Sequence, residues 1–571
     1  MYLYNLKIKH FRSIKDISLN FNQGINVLIG ENNAGKTTII DVLRICLGYR
    51  DQDGLRVSKS DFHISKDDSN LKPIEFDLSF KITDDVEMGY FIELYDAETE
   101  TLDLHFRFEL KQYSKYERIH SEVWGGQNES VNIPSEVFHS FIQVYLGALR
   151  DAERYLRPGR YNQLGELIIG IDEKNFSDDY NRDVMAKNLS ENIDESVFSE
   201  FIGDVNKVIT KHLDNITFEN DADLNIRPIN QDFEEISRNL KIKLPLSKDT
   251  SNDKFLELYQ NGLGHNNLIY IAILLSRLSD LSQSDDSLFL SLLIEEPEAH
   301  LQPQLQNLFF SYLNELNKEL NGPKSFQIFI TSHSPTLTAK ADLDSLIILQ
   351  KDRDNENIVC ADFKSLSFNE ENKEYLHKFL DVTKSQLLFS KRIIFVEGIS
   401  EALLVPVFAD KLEYDLEGNG VEIVMLNGVS FKHFIPLFDE ENQLIFKGAI
   451  MTDKDRKKLD DVESNTFKDL AKKENRNLKV CGAEKTFEYD LLKANPDKSF
   501  IRRVFKNVHP IIFKNVFNDS DDKLFNIMND PNKNIKKSRI AWILSTELNN
   551  DDSIEYFIPS YIVDALDFVC K

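Results

Sequence analysis

Residues 25–37 read INVLIGENNAGKT, in which a short apolar run leads into the pattern G-x-x-x-x-G-K-T. The apolar run predicts a buried strand, and the spacing of apolar residues over 39–47 predicts a helix directly after the loop. Such a loop can wrap its backbone N–H groups around phosphate, while the Lys36 ammonium neutralises phosphate oxygens and the Thr37 hydroxyl can hold Mg²⁺. The sequence therefore predicts a site for ATP and Mg²⁺. Its expected nucleotide contacts in this segment are Gly30, Asn33, Gly35, Lys36, Thr37 and Thr38.

An acidic partner for this loop follows much later in the chain. The apolar run of residues 288–294 predicts a strand buried on both faces, and Glu295 and Glu296 come directly after it. In P-loop ATPases the first acid after such a strand helps to hold Mg²⁺, and the second polarises the attacking water. We therefore expect Glu295 to bind the nucleotide complex and Glu296 to be catalytic.

Two further segments are candidates for contacts to the γ-phosphate. The strand predicted over 326–330 is followed closely by His333, and a histidine at that strand end can sense the phosphate. Gly262 and Gly264 precede an apolar helix, expected from Leu268, at the position of the ABC signature loop, which binds the nucleotide of the opposite subunit. The Leu-Ser-Gly-Gly consensus of that loop is absent. A glycine turn that caps the helix is therefore the alternative interpretation.

Two features of the first half have no assigned role. Residues 183–216 are polar with apolar positions at helical spacing, and this predicted helical arm either mediates dimerisation or packs on its own domain. ABC ATPases usually carry a glutamine that links nucleotide to the rest of the protein, but Gln52 is the only glutamine between Thr37 and Lys111. Residues 60–63, Ser-Asp-Phe-His, are a candidate substitute. The coupling residue is otherwise unassigned.

A second pattern of strands and helices begins after residue 385. Apolar strands are expected at 392–396, 421–426, 448–452 and 478–481, and each ends in acids or glycine. Strands that alternate with helices imply a parallel sheet, whose carboxyl ends form sites at one edge. The acids near these ends are Glu397, Glu401, Asp453, Asp455 and Glu488.

These clustered acids point to a divalent metal ion. Carboxylates held together repel one another unless a cation lies between them, and Mg²⁺ or Mn²⁺ prefers oxygen ligands. Two such ions can activate water and stabilise the leaving oxygen of a phosphodiester. A single Asp-x-Asp pair after a strand is more often a turn or a helix cap. The convergence of all the strand ends favours a metal site.

Composition alone gives little support to nucleic-acid binding. The formal charge is −27 at pH 7, whereas phosphate contacts need clustered Lys and Arg. Residues 501–540 are an exception, with nine Lys or Arg against four Asp, and they are either a DNA-binding face or a solvated surface run. No apolar run is long enough to span a membrane and no signal peptide is visible, so we expect a cytoplasmic protein without membrane contact.

The order of these motifs resembles that of the OLD (overcoming lysogenisation defect) family of nucleases. Glu397-Gly398 followed by Asp453-x-Asp455 looks like the metal site of a Toprim domain. An ABC-type ATPase with Glu-Glu-Pro-Glu-Ala-His, placed ahead of Toprim, is the layout of that family. Residues 145–151, Tyr-Leu-Gly-Ala-Leu-Arg-Asp, extend the resemblance across the first half. The chain is also similar in length and layout to the nuclease subunit of Gabija-type antiphage systems.

The resemblance implies an α/β fold. It consists of an ABC-type P-loop ATPase domain with an inserted helical dimerisation region, followed by a Toprim (Rossmann-like) α/β domain with helical additions. We expect the ATPase halves at 1–165 and 251–385, the insertion at 166–250 and the Toprim domain at 386–571.

The resemblance also implies an ATP-regulated, divalent-metal-dependent DNA endonuclease of antiphage defence. Its metal ligands would be Glu397, Glu401, Asp453, Asp455 and Glu488. Lys537 would assist the transition-state phosphate, with its neighbour Lys536 as the alternative, and would form the catalytic set with Glu397, Asp453 and Asp455. The expected partners are DNA, further copies of the chain in a homodimer or higher oligomer, and a companion helicase or a retron reverse transcriptase with its DNA.

Two other functions compete with this hypothesis. A DNA-clamping repair ATPase of the RecF/SMC type fits the first 380 residues but leaves the acid clusters unexplained. A Toprim topoisomerase or primase is the second alternative, and a topoisomerase would need a tyrosine nucleophile at the site. Whether nucleotide licenses or inhibits cutting does not follow from the sequence.

Overall fold

In the part of the chain that the structure, a computed structural model, describes, the protein forms three larger sheets and one short hairpin. The structure describes residues 1–48, 54–65, 71–82, 85–96, 98–112, 116–126, 129, 133–147, 155–175, 233–245, 255–260, 262–282, 288–299, 301–319, 326–352, 357–380, 384–427, 430–440, 444, 446–454, 463–495, 499–513, 527, 535–551 and 553–571. Within these ranges, none of the helices combines the length and the apolar character needed to cross a bilayer.

The first sheet is antiparallel and six-stranded. Its strands are β1 (Tyr2–Phe11), β2 (Ile14–Asn20), β4 (Ile74–Lys81), β5 (Tyr95–Asp96), β6 (Thr101–Gln112) and β7 (Glu117–Gly125). They lie in the order β2-β1-β4-β6-β5, with β7 also paired to β6. Burial alternates strictly along β4, as expected of a sheet with one face on a core and one face toward solvent. The antiparallel strands expected over residues 6–21 are thereby confirmed.

The second sheet carries the phosphate loop. It consists of β3 (Ile25–Gly30), β8 (Phe141–Leu146), β11 (Phe289–Glu295), β12 (Phe326–Ser332), β13 (Leu346–Asp352) and β14 (Asn357–Asp362). The order is β14-β13-β3-β12-β11-β8, and all neighbours are parallel except β13 and β14. Every residue of β3, β11 and β12 is buried, which explains why these strands are apolar without alternation.

The two faces of this sheet pack into different cores. Val27 and Ile29 belong to one hydrophobic cluster, while Leu28 belongs to a second cluster shared with the antiparallel sheet. The helices of this half of the chain are α1 (Lys36–Leu47), α2 (Asp85–Tyr90), α3 (Ser135–Ser140), α4 (Gln163–Asn175), α5 (Phe233–Arg238), α6 (Leu263–Ser282), α7 (Pro303–Glu319), α8 (Pro335–Thr338) and α9 (Glu370–Phe379). A hairpin of β9 (Lys243–Pro245) and β10 (Phe255–Glu257) lies between α5 and α6 in the chain.

The third sheet is parallel and four-stranded. Its strands, in the order β16-β15-β17-β18, are β15 (Arg392–Val396), β16 (Val421–Met425), β17 (Lys447–Asp453) and β18 (Leu478–Ala483). The helices of this part are α10 (Ile399–Lys411), α11 (Asn465–Ala471), α12 (Phe487–Ala494), α13 (Phe500–Val508), α14 (Lys537–Asn550) and α15 (Ser560–Cys570). Phe395 packs into the same cluster as Val27, so the core continues from the second sheet into the third. The expected mixed α/β fold, including the parallel sheet of the second half, is confirmed.

Some expectations are corrected or lie outside the described residues. Helix α6 begins at Leu263, so the expected helix start at Leu268 is wrong and Gly264 lies in the first turn. Residues 183–216, the predicted dimerisation arm, are outside the described ranges. The domain boundaries at 165, 250 and 385 stay predictions.

Gly448 allows β17 to approach a buried aromatic ring, and it offers a test of how tightly this strand is held. A Cβ at Gly448 would lie 2.4 Å from the ring of Phe438. We expect Gly448→Ala to destabilise the fold by about 1–3 kcal/mol, because the ring must shift or the strand must move. Thermal unfolding should show a lower melting temperature. Gly89→Ala is the control, since a Cβ at Gly89 meets nothing within 4 Å, and equal melting temperatures for the two variants would contradict the expectation.

Candidate functional site

The phosphate loop joins the buried strand β3 to α1 through backbone conformations that favour glycine. Gly30 has φ of 150°, and a Cβ there would lie 2.1 Å from the carbonyl oxygen of Leu349. Gly35 has φ of 87° and caps α1, while Asn33 has φ of 69°. These left-handed residues curl the loop above the first turn of the helix. Thr37 is exposed at this turn, whereas Thr38 is buried.

Lys36 is buried at the centre of the loop. Its ammonium donates to the carbonyl oxygens of Gly30, at 2.9 Å, and of Glu31, at 2.8 Å. Burial lowers the pKa of Lys36 to about 8, although Glu296 and Glu298 act in the opposite direction. A buried cation that donates to backbone carbonyl oxygens is well placed to receive an anionic phosphate group.

The parallel register brings the predicted acids to the same edge as the loop. Glu295 is the last residue of β11 and is buried, and its Oε1 has no hydrogen-bond partner among the described residues. Burial, reinforced by the nearby Asp41 carboxylate, raises the pKa of Glu295 to about 7. An uncompensated buried carboxylate oxygen beside a phosphate loop fits the place of a Mg²⁺ ligand.

Glu296 and His333 face each other across the edge. Glu296 has φ of 44°, and its N–H donates to the carbonyl oxygen of Thr331 at 3.0 Å. Its Oε1 lies 3.6 Å from Nε2 of His333. Burial and the Lys36 charge lower the pKa of His333, which favours the neutral imidazole. The structure thus brings Lys36, Glu296 and His333 into one site.

Glu298 supports this site, although its role was not foreseen in the sequence. Its Oε1 accepts from the N–H of His333 at 2.6 Å and from the hydroxyl of Ser332 at 3.1 Å. These bonds fix the end of β12. The signal in the sequence was the third acid of Glu-Glu-Pro-Glu, which follows the two acids with predicted roles.

A cavity of about 740 Å³ opens beside the loop. Its lining consists of Arg12, Ser13, Glu31, Asn32, Asn33, Ser60, Phe62, His63, Ile64, Ser65 and Lys351. Arg12 donates to Asp61 at 2.8 Å and to Asp41, in α1, at 2.5 Å. The candidate coupling segment 60–63 is therefore tied to the phosphate-loop helix through Arg12, a residue that the sequence did not reveal. Gly262 and Gly264 do not line this cavity.

The second candidate site lies at the carboxyl edge of the third sheet. Glu397 follows β15, and its Oε1 accepts from the N–H of Asp453 at 3.0 Å and from the hydroxyl of Thr452. Glu488, in the first turn of α12, accepts from the hydroxyl of Ser400 at 3.1 Å. Adjacent strands and helix starts thus place these acids at one edge, as expected.

Lys537 reaches the same acids from α14. Its Nζ lies 2.8 Å from Oε2 of Glu488. Although burial opposes it, the carboxylates of Glu488, Asp453 and Glu401 raise the pKa of Lys537. Both lysines are exposed, but the hydrogen bond described for Lys536 is made by its backbone N–H, which donates to Nε2 of His509. Lys537, rather than Lys536, is therefore the cation of this site.

The acids of this edge strongly affect one another. Burial, followed by the charges of Glu397, Glu488 and Glu401, raises the pKa of Asp453 to about 9. Burial also raises the pKa of Glu401 to about 7, with Glu488 and Glu397 contributing. Such a site favours the entry of positive charge, because a cation offsets both the burial and the mutual repulsion.

An all-oxygen donor set of this kind fits a hard divalent ion. Within the described ranges, however, no three His, Cys, Asp or Glu side chains stand close enough to hold one ion as they are arranged. Lys537 lies among the carboxylates in this arrangement. Asp455, the remaining predicted ligand, lies outside the described residues. Thr452 and Ser400, which position Glu397 and Glu488, were missed because a hydroxyl beside an acid has no distinctive pattern in sequence.

Comparisons with known proteins agree with this two-part organisation. A family model described as an AAA ATPase domain matches residues 1–133 and 122–338, and one described as an overcoming lysogenization defect protein-like TOPRIM domain matches residues 388–455. The chain is 23% identical over 704 aligned positions to endonuclease GajA of Bacillus cereus strain HuB5-5, covering 100% of this chain and 99% of that protein. It is also 23% identical to the OLD nuclease of Thermus scotoductus, covering 75% of this chain and 77% of that protein. A solved structure of the C-terminal region of the Burkholderia pseudomallei OLD protein, 22% identical, covers 32% of this chain and 97% of that chain with a TM-score of 0.25.

Proposed function

Because the chain belongs to the AAA ATPase domain family and carries an OLD-like TOPRIM domain, we propose that it is an ATP-regulated DNA endonuclease that requires divalent metal ions. The similarity to endonuclease GajA along the whole chain supports this proposal and its extension to antiphage defence. We assign the ATPase to 1–165 and 251–385, the inserted region to 166–250 and the nuclease to 386–571. Its DNA substrate places the activity in the cytoplasm.

The observation that carries the nuclease proposal is the half-buried cluster of acids at this edge, which Lys537 reaches. Glu397 and Asp453 are joined by a 3.0 Å hydrogen bond, and Glu488 is paired with Lys537 at 2.8 Å. A clamp that only holds DNA needs surface cations, and it gains nothing from burying mutually repelling carboxylates. A hydrolytic metal site needs such carboxylates.

The residues of this edge have distinct proposed tasks. Glu397, Glu401, Asp453 and Glu488, together with Asp455, would hold Mg²⁺ or Mn²⁺. The bound metal would supply Lewis-acid activation of water and of the phosphate. A water oxygen bonds to phosphorus, one backbone P–O bond breaks, and the leaving oxygen takes up a proton. Lys537 would lie against the phosphate oxygens and offset the charge that they gain. Thr452 and Ser400 orient the acids.

The ATPase site is proposed to control this activity. Lys36 and Thr37 would hold the phosphates and Mg²⁺ together with Glu295, and Glu296 would orient the attacking water. His333 would contact the γ-phosphate from the end of β12. Gly262 and Gly264 do not line the cavity beside the phosphate loop of their own chain, and we propose that they complete the site of a second copy. This arrangement requires a homodimer or a higher oligomer, in which a companion helicase or a retron reverse transcriptase can take part.

The test is cleavage of supercoiled and linear DNA in Mg²⁺ or Mn²⁺, with and without ATP. Nicking or cutting that requires the metal is the expected result, and ATP is expected to change its rate. ATP-dependent retention of DNA without cleavage would replace the proposal by a DNA clamp. Relaxed and religated circles would indicate a topoisomerase.

Metal binding is expected to stabilise the protein more at high pH than at low pH. Burial and neighbouring acids raise the pKa of Asp453 from its ordinary 3.8 to about 9. An acid with a raised pKa in the folded state stabilises the fold below its unfolded pKa, and this contribution is lost as pH rises through its folded pKa. In a chelator, the melting temperature should therefore fall as the pH rises from about 4 to about 9, and Mn²⁺ should restore more of it at the upper end of this range.

Differential scanning fluorimetry with EDTA or Mn²⁺ measures this effect. Asp453→Asn removes the titrating group, so its melting temperature in EDTA should vary less with pH. Asp469→Asn, at an exposed acid paired with Lys472, is the matched control. The assignment of Asp453 as a metal ligand would be contradicted if Mn²⁺ raised the melting temperature equally at the low and the high end of this pH range and if that rise survived in Asp453→Asn.

A further inference from the structure

Helices α13 and α14 form a basic surface next to the acid edge. The two helices pack against each other and both point cationic side chains to solvent. The exposed cations of this surface are Arg503, Lys506, Lys536 and Arg539. Among the described residues 499–513 and 535–551, the acids are Glu547, near the end of α14, and Asp551, just after it, in a chain whose net charge is −27. Positive charge is thus concentrated beside Lys537, whose side chain reaches the acid edge.

An exposed indole lies within this surface. Trp542 is 59% exposed, whereas the other tryptophan of the chain, Trp124, stacks on His105 with ring centroids 5.2 Å apart. On α14, Trp542 follows Ser538 by four residues and Arg539 by three, so these side chains share one exposed face. An indole exposed to this extent beside cations is free to stack on the ring of a partner.

The spacing along α14 relates this indole to the reacting phosphate. Trp542 is five residues beyond Lys537, which is about 7.5 Å along the helix axis. This axial distance is comparable to two base-pair rises of B-DNA at about 3.4 Å each. Because five residues also turn an α-helix by about 140°, a strand that contacts both Lys537 and Trp542 must cross α14 obliquely.

We propose that the α13–α14 surface binds the DNA substrate and that Trp542 stacks on an unpaired base beside the cleavage site. This inference rests on the proposed nuclease function and names its substrate class: DNA with at least one accessible base, as in single strands, junctions or frayed ends. Clustered cations suit the phosphate backbone, and an indole beside them suits the face of a base. Duplex DNA without an exposed base binds through the cations alone.

Tryptophan fluorescence tests the proposal, because the chain has two tryptophans. In Trp124→Phe the remaining emission comes from Trp542. In EDTA, a single-stranded oligonucleotide should quench this emission saturably, and a blunt duplex of the same length should quench it less. Trp542→Ala should weaken single-strand binding by about tenfold or more, with a smaller loss in Trp542→Phe, since stacking on an aromatic ring contributes to each bound base. Arg539→Ala should weaken both substrates and lower the salt dependence of binding.

The outcomes separate this inference from the proposed function. Binding of single strands with unchanged Trp542 emission overturns the stacking role. Dissociation of an oligomer by Trp542→Ala, with DNA affinity intact, assigns the surface to a second copy of the chain and also overturns it. Cleavage of plasmid DNA by the unaltered chain in Mn²⁺ is measured in parallel. If the unaltered chain cleaves DNA and Trp542→Ala binds and cleaves every substrate equally well, only the inference about Trp542 fails. If the unaltered chain does not cleave DNA, the proposed function fails.

A separate observation concerns Glu31, the second residue of the phosphate loop. Its Oε1 lies 2.6 Å from Nζ of Lys391 and accepts from the N–H of Lys351 at 3.2 Å. Nζ of Lys391 also donates to the carbonyl oxygen of Lys351 at 2.7 Å. These contacts among Glu31, Lys351 and Lys391 connect the ATPase sheet to the start of the third sheet.

Lys391 is also where the strands of the acid edge begin. It directly precedes β15, and its carbonyl oxygen accepts from the N–H of Lys447, the first residue of β17, at 2.8 Å. These two strands lead to Glu397 and Asp453. We infer that the Glu31–Lys391 pair transmits the state of the phosphate loop to the acid edge, the coupling role that a glutamine usually has in ABC ATPases. This inference depends on the proposed ATP regulation.

Lys391→Ala tests this role without altering either site. The unaltered chain should show an effect of ATP on cleavage rate, and in Lys391→Ala the ratio of the rates with and without ATP should approach one. ATP binding and cleavage without ATP should stay within about twofold, because Lys391 belongs to neither site. Lys378→Ala, which breaks the exposed pair with Glu374, is the matched control. An ATP effect that survives in Lys391→Ala, or that is missing in the unaltered chain while cleavage persists, overturns the coupling but leaves the nuclease intact.

Discussion

Asp453→Ala is expected to abolish metal-dependent DNA cleavage, with a loss on the order of a thousandfold or more. Asp453 ends β17 at the centre of the acid edge, where Glu397, Glu488 and Glu401 all contribute to the raised pKa of its carboxyl group. Removing this carboxylate takes away a proposed metal ligand. It also removes one of the carboxylates that, with Glu488, raise the pKa of Lys537.

Conversion of supercoiled plasmid to nicked or linear DNA in Mn²⁺ is the measurement. Asp469→Ala removes an exposed acid of the same half of the chain and should cleave like the unaltered protein. The loss must not come from misfolding. Because the substitution removes a buried carboxylate crowded by other acids, we expect an unchanged or higher melting temperature in EDTA. Asp453→Asn, which keeps the shape of the side chain, should be equally inactive. Cleavage near the normal rate in both variants would remove Asp453 from the mechanism.

Lys36→Ala is expected to reduce ATP binding and hydrolysis by about a hundredfold or more. Within the described part of the chain, the buried ammonium donates to the carbonyl oxygens of Gly30 and Glu31, which leaves its charge available to an incoming phosphate. Charge-assisted contacts of this kind contribute most where water is excluded.

Binding of a fluorescent ATP analogue and phosphate release measure this loss. Lys340→Ala, at an exposed lysine soon after β12, is the control and should keep both activities. The cleavage assay in the same variant then reports the direction of nucleotide control. If Lys36→Ala cleaves DNA rapidly whether or not ATP is present, nucleotide inhibits the nuclease. If it cleaves DNA slowly under both conditions, nucleotide activates the nuclease. Normal ATP hydrolysis by Lys36→Ala would contradict the assignment of this loop.

The sequence was most informative where a pattern is local. The strands on either side of the phosphate loop and the strands of the second half are short apolar runs, and burial on both faces of a parallel sheet requires such runs. The order of strands then brought Glu295 to the loop and Asp453 to Glu397, because parallel strands end at one edge.

Contacts between distant segments could not be read in the same way. The pairing of Glu31 with Lys391 joins a loop to a residue in another sheet, and no periodicity records it. The bonds of Arg12 to Asp41 and Asp61 are similar, since Arg12 is an ordinary residue at a strand end. The start of α6 was misplaced because a glycine in a first helical turn resembles a glycine before the helix.

The position of β3 has a consequence for how the protein is made. Both edges of this strand pair with strands that come much later in the sequence, β12 and β13. During synthesis at about 5–20 residues per second, β3 therefore emerges roughly 15 to 60 s before its second neighbour is complete. Its apolar, unpaired edges are open to other chains throughout that interval. A chain that ends before residue 326 lacks both partners of β3 and should therefore aggregate. Slow translation and a limited supply of chaperones should for the same reason lower the yield of active protein.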